Sequence, residues 1–147
     1  MKLPNITIPT GVARTGMTVR EGFSECLRCG VPSIPHVNEH GIVDGRFSVR
    51  ETLCHACIPE IMVNYADVLG DAPGCLQIPE EHARHVLDLQ LDHFVLQEFF
   101  RISPDTSIAK TIALMEKHGV NSLYVINQDR YIGVVTIWAI AQRMLEL

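Results

Sequence analysis

The sequence predicts an α/β fold, of the mixed α+β kind, in which one helix–strand–strand–helix unit occurs twice. The pentapeptide at residues 30–34 (GVPSI) recurs with two substitutions at residues 119–123 (GVNSL), 89 residues further on. Apolar positions agree at the same offset on both sides of this match, as Val19 does with Ile108. Such self-similarity indicates a duplicated structural unit. Within each copy the apolar spacing changes from helical to strand-like, which predicts the order of the elements.

The second copy begins with a turn and an amphipathic helix. Asp105 or Thr106 is expected to cap this helix by accepting hydrogen bonds from its first free N–H groups. Ile108, Ile112 and Met115 follow at i, i+4 and i+7, which places them on one helical face. A glycine directly after the helix is typical of a left-handed C-terminal cap.

A β-hairpin and a last helix complete the second copy. Residues 122–126 and 131–135 are short apolar runs on either side of a polar turn, as in a hairpin. Thr136 is expected to cap the final helix. The first copy predicts the same order: a helix at 19–29, strands at 34–37 and 42–47, and a helix from 48 to about 65.

A connector separates the copies. Residues 70–74 (GDAPG) predict a loop, and Pro79 is expected at the first position of a helix that runs to about Leu91. The predicted organisation is therefore a first repeat with its N-terminal lead-in at 1–66, a connector at 67–94 and a second repeat at 95–147.

Composition excludes several classes of function. The 147 residues contain 12 Lys and Arg against 17 Asp and Glu, a net charge of −5, with no basic run. A broad nucleic-acid interface is therefore not expected. No apolar stretch approaches the roughly 20 residues of a membrane span, and the N-terminus does not resemble a signal peptide. We expect a cytoplasmic protein with no membrane contact. No catalytic motif is present, so we expect no enzymatic activity.

The two copies resemble the cystathionine-β-synthase (CBS) domain, which normally occurs in tandem as a Bateman module. In the second copy the resemblance lies in residues 104–108 (PDTSI), 119–120 (GV), 123–126 (LYVI) and 132–136 (IGVVT). In the first copy it lies in residues 30–37 (GVPSIPHV) and 45–48 (GRFS).

The resemblance implies two βαββα repeats that pack through their sheets with pseudo-two-fold symmetry and leave a cleft on each side. It further implies a sensor or regulatory module that binds an adenosine-containing ligand, such as AMP, ADP, ATP or S-adenosylmethionine, without a required cofactor. A regulated protein partner and a homodimer are also expected. Because the connector at 67–92 is polar, the repeat helices are expected to form the dimer contact.

The resemblance also suggests the ligand-binding residues. CBS domains carry a Ser/Thr-x-x-Asp motif at the start of the last helix of each repeat, where a carboxylate binds the ribose diol. The first copy has Ser48 and Glu51 at these positions, and Arg50 is placed to reach a phosphate. The second copy has Thr136 but Ala139 in place of the acid, which puts nucleotide binding there in doubt, and Trp138 fills space or stacks on a base. The remaining predicted ligand-binding residues are Pro35, His36 and Thr106.

Two alternatives to this interpretation stay open. Ser48 and Thr136 can be helix caps alone, with Glu51 completing a capping box, which would leave a structural dimerisation module with degenerate clefts. The second alternative is a metal- or redox-responsive protein. Cys26, Cys29, Cys54 and Cys57 form two CxxC pairs 24 residues apart, a pattern typical of metal sites. Both pairs fall in predicted helices, so no metal is expected.

Overall fold

The computed structural model describes residues 1–71 and 77–147. The predicted loop at 70–74 lies partly outside this range, as does Cys75. The first repeat contains α1 (Val19–Cys29), β1 (Ser33–Val37), β2 (Val43–Ser48) and α2 (Val49–Cys57). The first repeat ends with α3 (Glu60–Tyr65), and the connector carries α4 (Glu80–Asp88). The second repeat contains β3 (Arg101–Ile102), α5 (Ile108–His118), β4 (Ser122–Asn127), β5 (Arg130–Thr136) and α6 (Ile137–Leu145). None of these helices has the length and hydropathy that a membrane span requires.

Each repeat contributes one small sheet. β1 and β2 pair antiparallel, and β4 pairs antiparallel with β5 and parallel with the short strand β3. Both predicted hairpins are thus confirmed. The α+β fold class that the repeat predicted is also confirmed. The first helices of the two repeats end alike, at Gly30 with φ +67° and Gly119 with φ +64°. Glycine occupies this left-handed conformation without the steric cost of a Cβ.

Two predicted helix boundaries were wrong. The helix expected from 48 to 65 is broken into α2 and α3, because Pro59 has no N–H to donate and disfavours helical backbone at Ile58. The helix expected from Pro79 to Leu91 is shorter. Pro79 is the residue before α4 rather than its first residue, and Leu89 is already extended.

The predicted cap of α5 was also wrong. Ser107, not Asp105 or Thr106, accepts the hydrogen bond of Lys110 N at 3.1 Å. The Thr106 hydroxyl instead accepts from Ser103 N at 3.1 Å, which closes the turn before the helix. Several hydroxyl and carboxylate groups follow one another here, and turn geometry decides which of them caps the helix.

Two crossing segments join the repeats. In the N-terminal segment Ile8 exchanges backbone hydrogen bonds with Val134 of β5 at 2.8 and 2.9 Å, and Ala13 pairs with β1. In the segment at 95–102, Leu96 makes the same exchange with Arg46 of β2, also at 2.8 and 2.9 Å, before β3 pairs with β4. Each segment therefore contacts both sheets, and the two segments are related by a pseudo-two-fold axis.

The buried core reflects the crossing of these two segments. Leu3, near the N-terminus, is buried among residues of the second repeat, and Leu91, in the turn before the second crossing segment, is buried among residues of the first. A hydrogen bond of 2.8 Å between the hydroxyls of Ser33 in β1 and Tyr124 in β4 joins the two sheets at the centre. The repeats thus share one interior, and the surface between them is where clefts form.

Candidate functional site

Two clefts lie between the repeats, and each is formed by the end of one repeat's first helix and the start of the other repeat's last helix. The first cleft is a cavity of about 380 Å³. Its walls are Arg46, Ser48, Arg50 and Glu51 of the first repeat, Glu98 and Phe100 of the crossing segment, and residues 118–122 at the end of α5. Three of the predicted ligand-binding residues, Ser48, Arg50 and Glu51, therefore lie together.

Ser48 and Glu51 begin α2 at the mouth of the first cleft. The Ser48 hydroxyl accepts a hydrogen bond from Glu51 N at 3.3 Å, so Ser48 does cap the helix. The Glu51 side chain does not return to Ser48 N as a capping box requires, unlike Glu21 at Thr18 in α1. Within the described residues the Glu51 carboxylate has no hydrogen bond or ion pair, and it remains available to a ligand.

Arg46 and Arg50 place two guanidinium groups in the first cleft, beside the carboxylates of Glu51 and Glu98. Arg46 Nε donates to the backbone oxygen of Glu98 at 2.9 Å, which fixes the guanidinium at the cleft wall. Among the described residues neither arginine has a carboxylate oxygen within 4.0 Å, whereas five other arginines do. Two guanidinium groups without carboxylate partners in one cavity favour an anionic ligand.

The inner end of the first cleft combines aromatic and hydroxyl groups. Phe100 stacks on the His118 ring, with centroids 4.0 Å apart and an interplanar angle of 11°. Behind them a recess of about 40 Å³ is lined by Ser33, Ser122 and Tyr124. Burial raises the pKa of Tyr124, so its hydroxyl stays protonated. This end suits a planar group with hydrogen-bonding edges.

The second cleft, of about 310 Å³, has the same position about the pseudo-two-fold axis but different chemistry. It is lined by Cys26, Leu27, residues 30–32, Asn121, Thr136 and Trp138, and no charged side chain is among them. The Thr136 hydroxyl accepts from Ala139 N at 3.0 Å as a helix cap. Trp138, at the position of Arg50, is 79% exposed. The groups that would hold a ribose diol or a phosphate are missing here.

The other predicted ligand-binding residues lie elsewhere. Pro35 is buried in β1. His36 lines a separate cavity with Arg14 and Asp44, and Thr106 lines another near Lys110. The structure therefore distributes the seven predicted residues over five places.

Sequence reasoning missed several residues of the first cleft: Arg46, Glu98, Phe100, His118 and Asn121. They come from both repeats and from the crossing segment. The feature of the sequence that could have indicated these residues is the duplication itself. If the start of α2 meets the end of the first helix of the other repeat, residues beside Gly119 face Ser48.

In the part of the chain that the structure describes, the two CxxC pairs do not form a metal-binding cluster. Cys26 is 1% exposed, and burial raises the pKa of its thiol to about 12. Burial, followed by the Glu25 carboxylate, also raises the pKa of Cys29. Within residues 1–71 and 77–147 no group of three or more His, Cys, Asp or Glu residues could hold a metal ion. Buried thiols with raised pKa values behave as small apolar side chains.

Comparison with known proteins agrees with the fold. Residues 91–146 match the family model of the CBS domain. A CBS domain of a membrane protein from Sphaerobacter thermophilus superposes with a TM-score of 0.68 at 19% identity, over 97% of this chain and 86% of that one. The CBS domains of a transcriptional regulator from Streptococcus pneumoniae give 0.63 at 16% identity, over 97% and 98%.

A third similar structure contains ligands. The CBS domain pair of protein MJ0100, in complex with 5′-methylthioadenosine and S-adenosyl-L-methionine, has a TM-score of 0.65 at 14% identity and covers 98% of this chain and 99% of that one. Residues 91–146 thus match the CBS family model, and the whole chain has the fold of a CBS domain pair.

Proposed function

We propose that this chain is a regulatory CBS pair that binds a phosphorylated adenosine ligand, such as AMP, ADP or ATP, in the first cleft. One observation carries the proposal: Arg46, Arg50 and the unpartnered carboxylate of Glu51 line a single cavity. A carboxylate beside two cations without carboxylate partners matches a ribose diol next to a phosphate. The ligands of the MJ0100 pair support the adenosine part of this proposal, and the phosphate part is supported by the two arginines alone.

Each wall of the first cleft has a role in this proposal. Glu51 accepts hydrogen bonds from the ribose diol. Arg46 and Arg50 bind the phosphates, with the N-terminus of α2 adding its positive end. The base occupies the inner end near Phe100 and Tyr124. The extra methylene of glutamate, compared with the aspartate of the family motif, lets its carboxylate reach further into the cavity.

A cationic group beside Arg50 is less favoured than an anionic one. S-adenosylmethionine carries a sulfonium where AMP carries its phosphate, and Arg50 would repel it. The second cleft, with Ala139 and Trp138, lacks the charged groups, so we propose that it does not bind nucleotide. The module then responds to one nucleotide for each chain.

Such a module acts by a shift of populations. A nucleotide that contacts α2, the crossing segment and the end of α5 binds best to one arrangement of the two repeats, and it stabilises that arrangement. A regulated protein would recognise the stabilised arrangement. No enzymatic activity and a cytoplasmic location are parts of the same proposal.

The first prediction concerns the ligand. AMP at 100 times its Kd is expected to raise Tm by roughly 5–10 °C, because binding to the native state alone stabilises it. Differential scanning fluorimetry with AMP, ADP, ATP and S-adenosylmethionine measures the shift. Glu51→Ala should abolish most of it, and Thr136→Ala, at the equivalent cap of the second cleft, should preserve it. Flat melting curves with all four ligands at millimolar concentration would overturn the proposal.

The second prediction concerns assembly. Large apolar side chains are exposed on the repeat helices: Leu27, Leu53, Ile112, Trp138 and Met144. Apolar surface of this kind is typical of contacts with a partner, and a two-fold dimer is the commonest closed assembly. We therefore propose a homodimer formed through these helices. Light scattering at micromolar concentration should give twice the chain mass of 16.4 kDa, and a monomer mass would exclude this dimer.

A further inference from the structure

The helix α3 and the 3₁₀ turn Ala66–Val68 that follows it form a part of the chain without a buried side. Neither element contains a buried residue. Among the described residues, each of the other five α-helices buries at least one. Most helices in proteins are stabilised by packing an apolar face against the rest of the molecule. Within this chain α3 does not have such packing.

The sequence of this segment is nevertheless apolar. Ile61 is 63% exposed, Tyr65 is 55% exposed and Val68 is 77% exposed. These three residues follow at i, i+4 and i+7, which is the spacing of one helical face. Val63 and Leu69 are exposed as well and extend the apolar surface. These five side chains are the α3 face, and an exposed apolar surface of this kind is typical of a contact with a partner.

The charge of this part of the chain is negative. Residues 51–83 contain six acidic residues and no Lys or Arg. Three of these acids, Glu60, Asp67 and Asp71, lie within or next to the segment of the α3 face, and all three are exposed. The ion pairs of the described residues include none of them. The α3 face therefore combines apolar side chains with carboxylates that have no cationic partner in the chain.

This negative charge distinguishes between the possible partners of the α3 face. In a two-fold dimer a second copy would bring the same acidic surface against this one, so carboxylates would face carboxylates. The anionic lipids of a membrane surface would repel the acids in the same way. A cationic amphipathic helix fits both features of the surface. Its apolar side chains can cover the α3 face, and its Lys and Arg side chains can pair with the acids.

We propose that the α3 face is the docking surface for a cationic amphipathic helix of a partner protein. The surface lies just beyond α2, the helix whose first residues line the first cleft. It is separate from the repeat helices proposed for the homodimer, so a dimer can present two such surfaces. Docking does not require nucleotide, and the proposal is therefore tested on the unliganded chain, independently of the first cleft.

Fluorescence anisotropy with a labelled synthetic peptide tests the docking surface. The peptide is an amphipathic helix of about 18 residues, with leucine on one face and lysine on the other. We expect saturable binding to the full chain at micromolar concentration. Raising the salt concentration from about 50 mM to about 500 mM should weaken binding at least fivefold, because exposed charge pairs are screened. A peptide of the same composition in scrambled order should bind at least fivefold more weakly, since it has no continuous apolar face.

Two pairs of double variants locate the binding site. Ile61→Ser with Val68→Ser should weaken binding at least tenfold, and Tm should stay close to the wild type because both side chains are exposed. The matched control is Leu145→Ser with Leu147→Ser, which removes two exposed apolar side chains at the end of the chain and should keep the Kd within about twofold.

The second pair of variants tests the charges. Glu60→Gln with Asp67→Asn should weaken binding at least threefold at low salt. Asp105→Asn with Glu116→Gln removes the same number of exposed carboxylates from the second repeat and should have less than half of this effect. Hydrogen exchange should show protection of the amides of residues 60–69 when the peptide binds. Absence of saturable binding, equal affinity for the scrambled peptide, or equal losses in a double variant and its control would overturn the proposal.

Discussion

Replacing Arg50 with alanine is expected to weaken AMP binding at least tenfold. In the proposed complex its guanidinium makes a charge-assisted contact with phosphate, which is among the stronger hydrogen bonds that proteins form. Arg50 has no carboxylate within 4.0 Å among the described residues, so its removal breaks no internal ion pair and the fold should remain intact. Isothermal titration calorimetry of the wild type and Arg50→Ala measures the change in Kd.

Two controls separate phosphate recognition from general damage to the cleft. Trp138→Ala changes the equivalent position in the second cleft and should leave the Kd for AMP within about twofold of the wild type, because no nucleotide contact is lost there. 5′-Methylthioadenosine, which lacks phosphate, should lose less than about threefold in affinity on Arg50→Ala, since only the phosphate contact is removed. Equal losses for AMP and 5′-methylthioadenosine would show that Arg50 does not bind the phosphate.

Local signals predicted most of the fold. Each of these signals acts over a few residues: the glycines after α1 and α5, the hydroxyls of Ser48 and Thr136 at helix starts, and the apolar strand segments. Because the unit is duplicated, these signals occur in both repeats. The helix predicted from 48 to about 65 was wrong because of another local signal, Pro59, which ends α2 at the residues before it.

The site was less predictable because it depends on contacts distant in sequence. Ser48, Arg50 and Glu51 follow from one motif in one helix. Arg46 reaches the cleft only because the crossing segment pairs with β2, and His118 only because the two repeats face each other. Neither arrangement has a signature in the residues beside Arg46 or His118. His36 was predicted as a ligand-binding residue, but it lies outside the first cleft, beside acids that come from another strand and from the connector.

Two glycines lie where the crossing segments pass close to the sheets. Gly133 in β5 lies under the backbone of the N-terminal segment, and a Cβ added there would overlap the carbonyl oxygen of Ile8. Gly45 in β2 is its equivalent, and a Cβ there would lie 2.6 Å from the carbonyl oxygen of Leu96. Backbone atoms held by paired hydrogen bonds cannot move aside as a flexible side chain can. Glycine is therefore required at both positions for close approach.

Gly133→Ala is expected to lower the free energy of unfolding by about 2–4 kcal/mol, because the methyl group displaces the N-terminal segment and weakens the two hydrogen bonds between Ile8 and Val134. Gly45→Ala should have a similar cost, since it strains the equivalent pair between Leu96 and Arg46. Gly70→Ala is the control, because a Cβ there meets nothing within 4 Å, and its effect should stay within about 0.5 kcal/mol. Urea denaturation measures all three variants. If Gly133→Ala lowers the free energy of unfolding by less than about 0.5 kcal/mol, the N-terminal segment is not held against β5 in solution. The N-terminal crossing segment would then not join the two repeats.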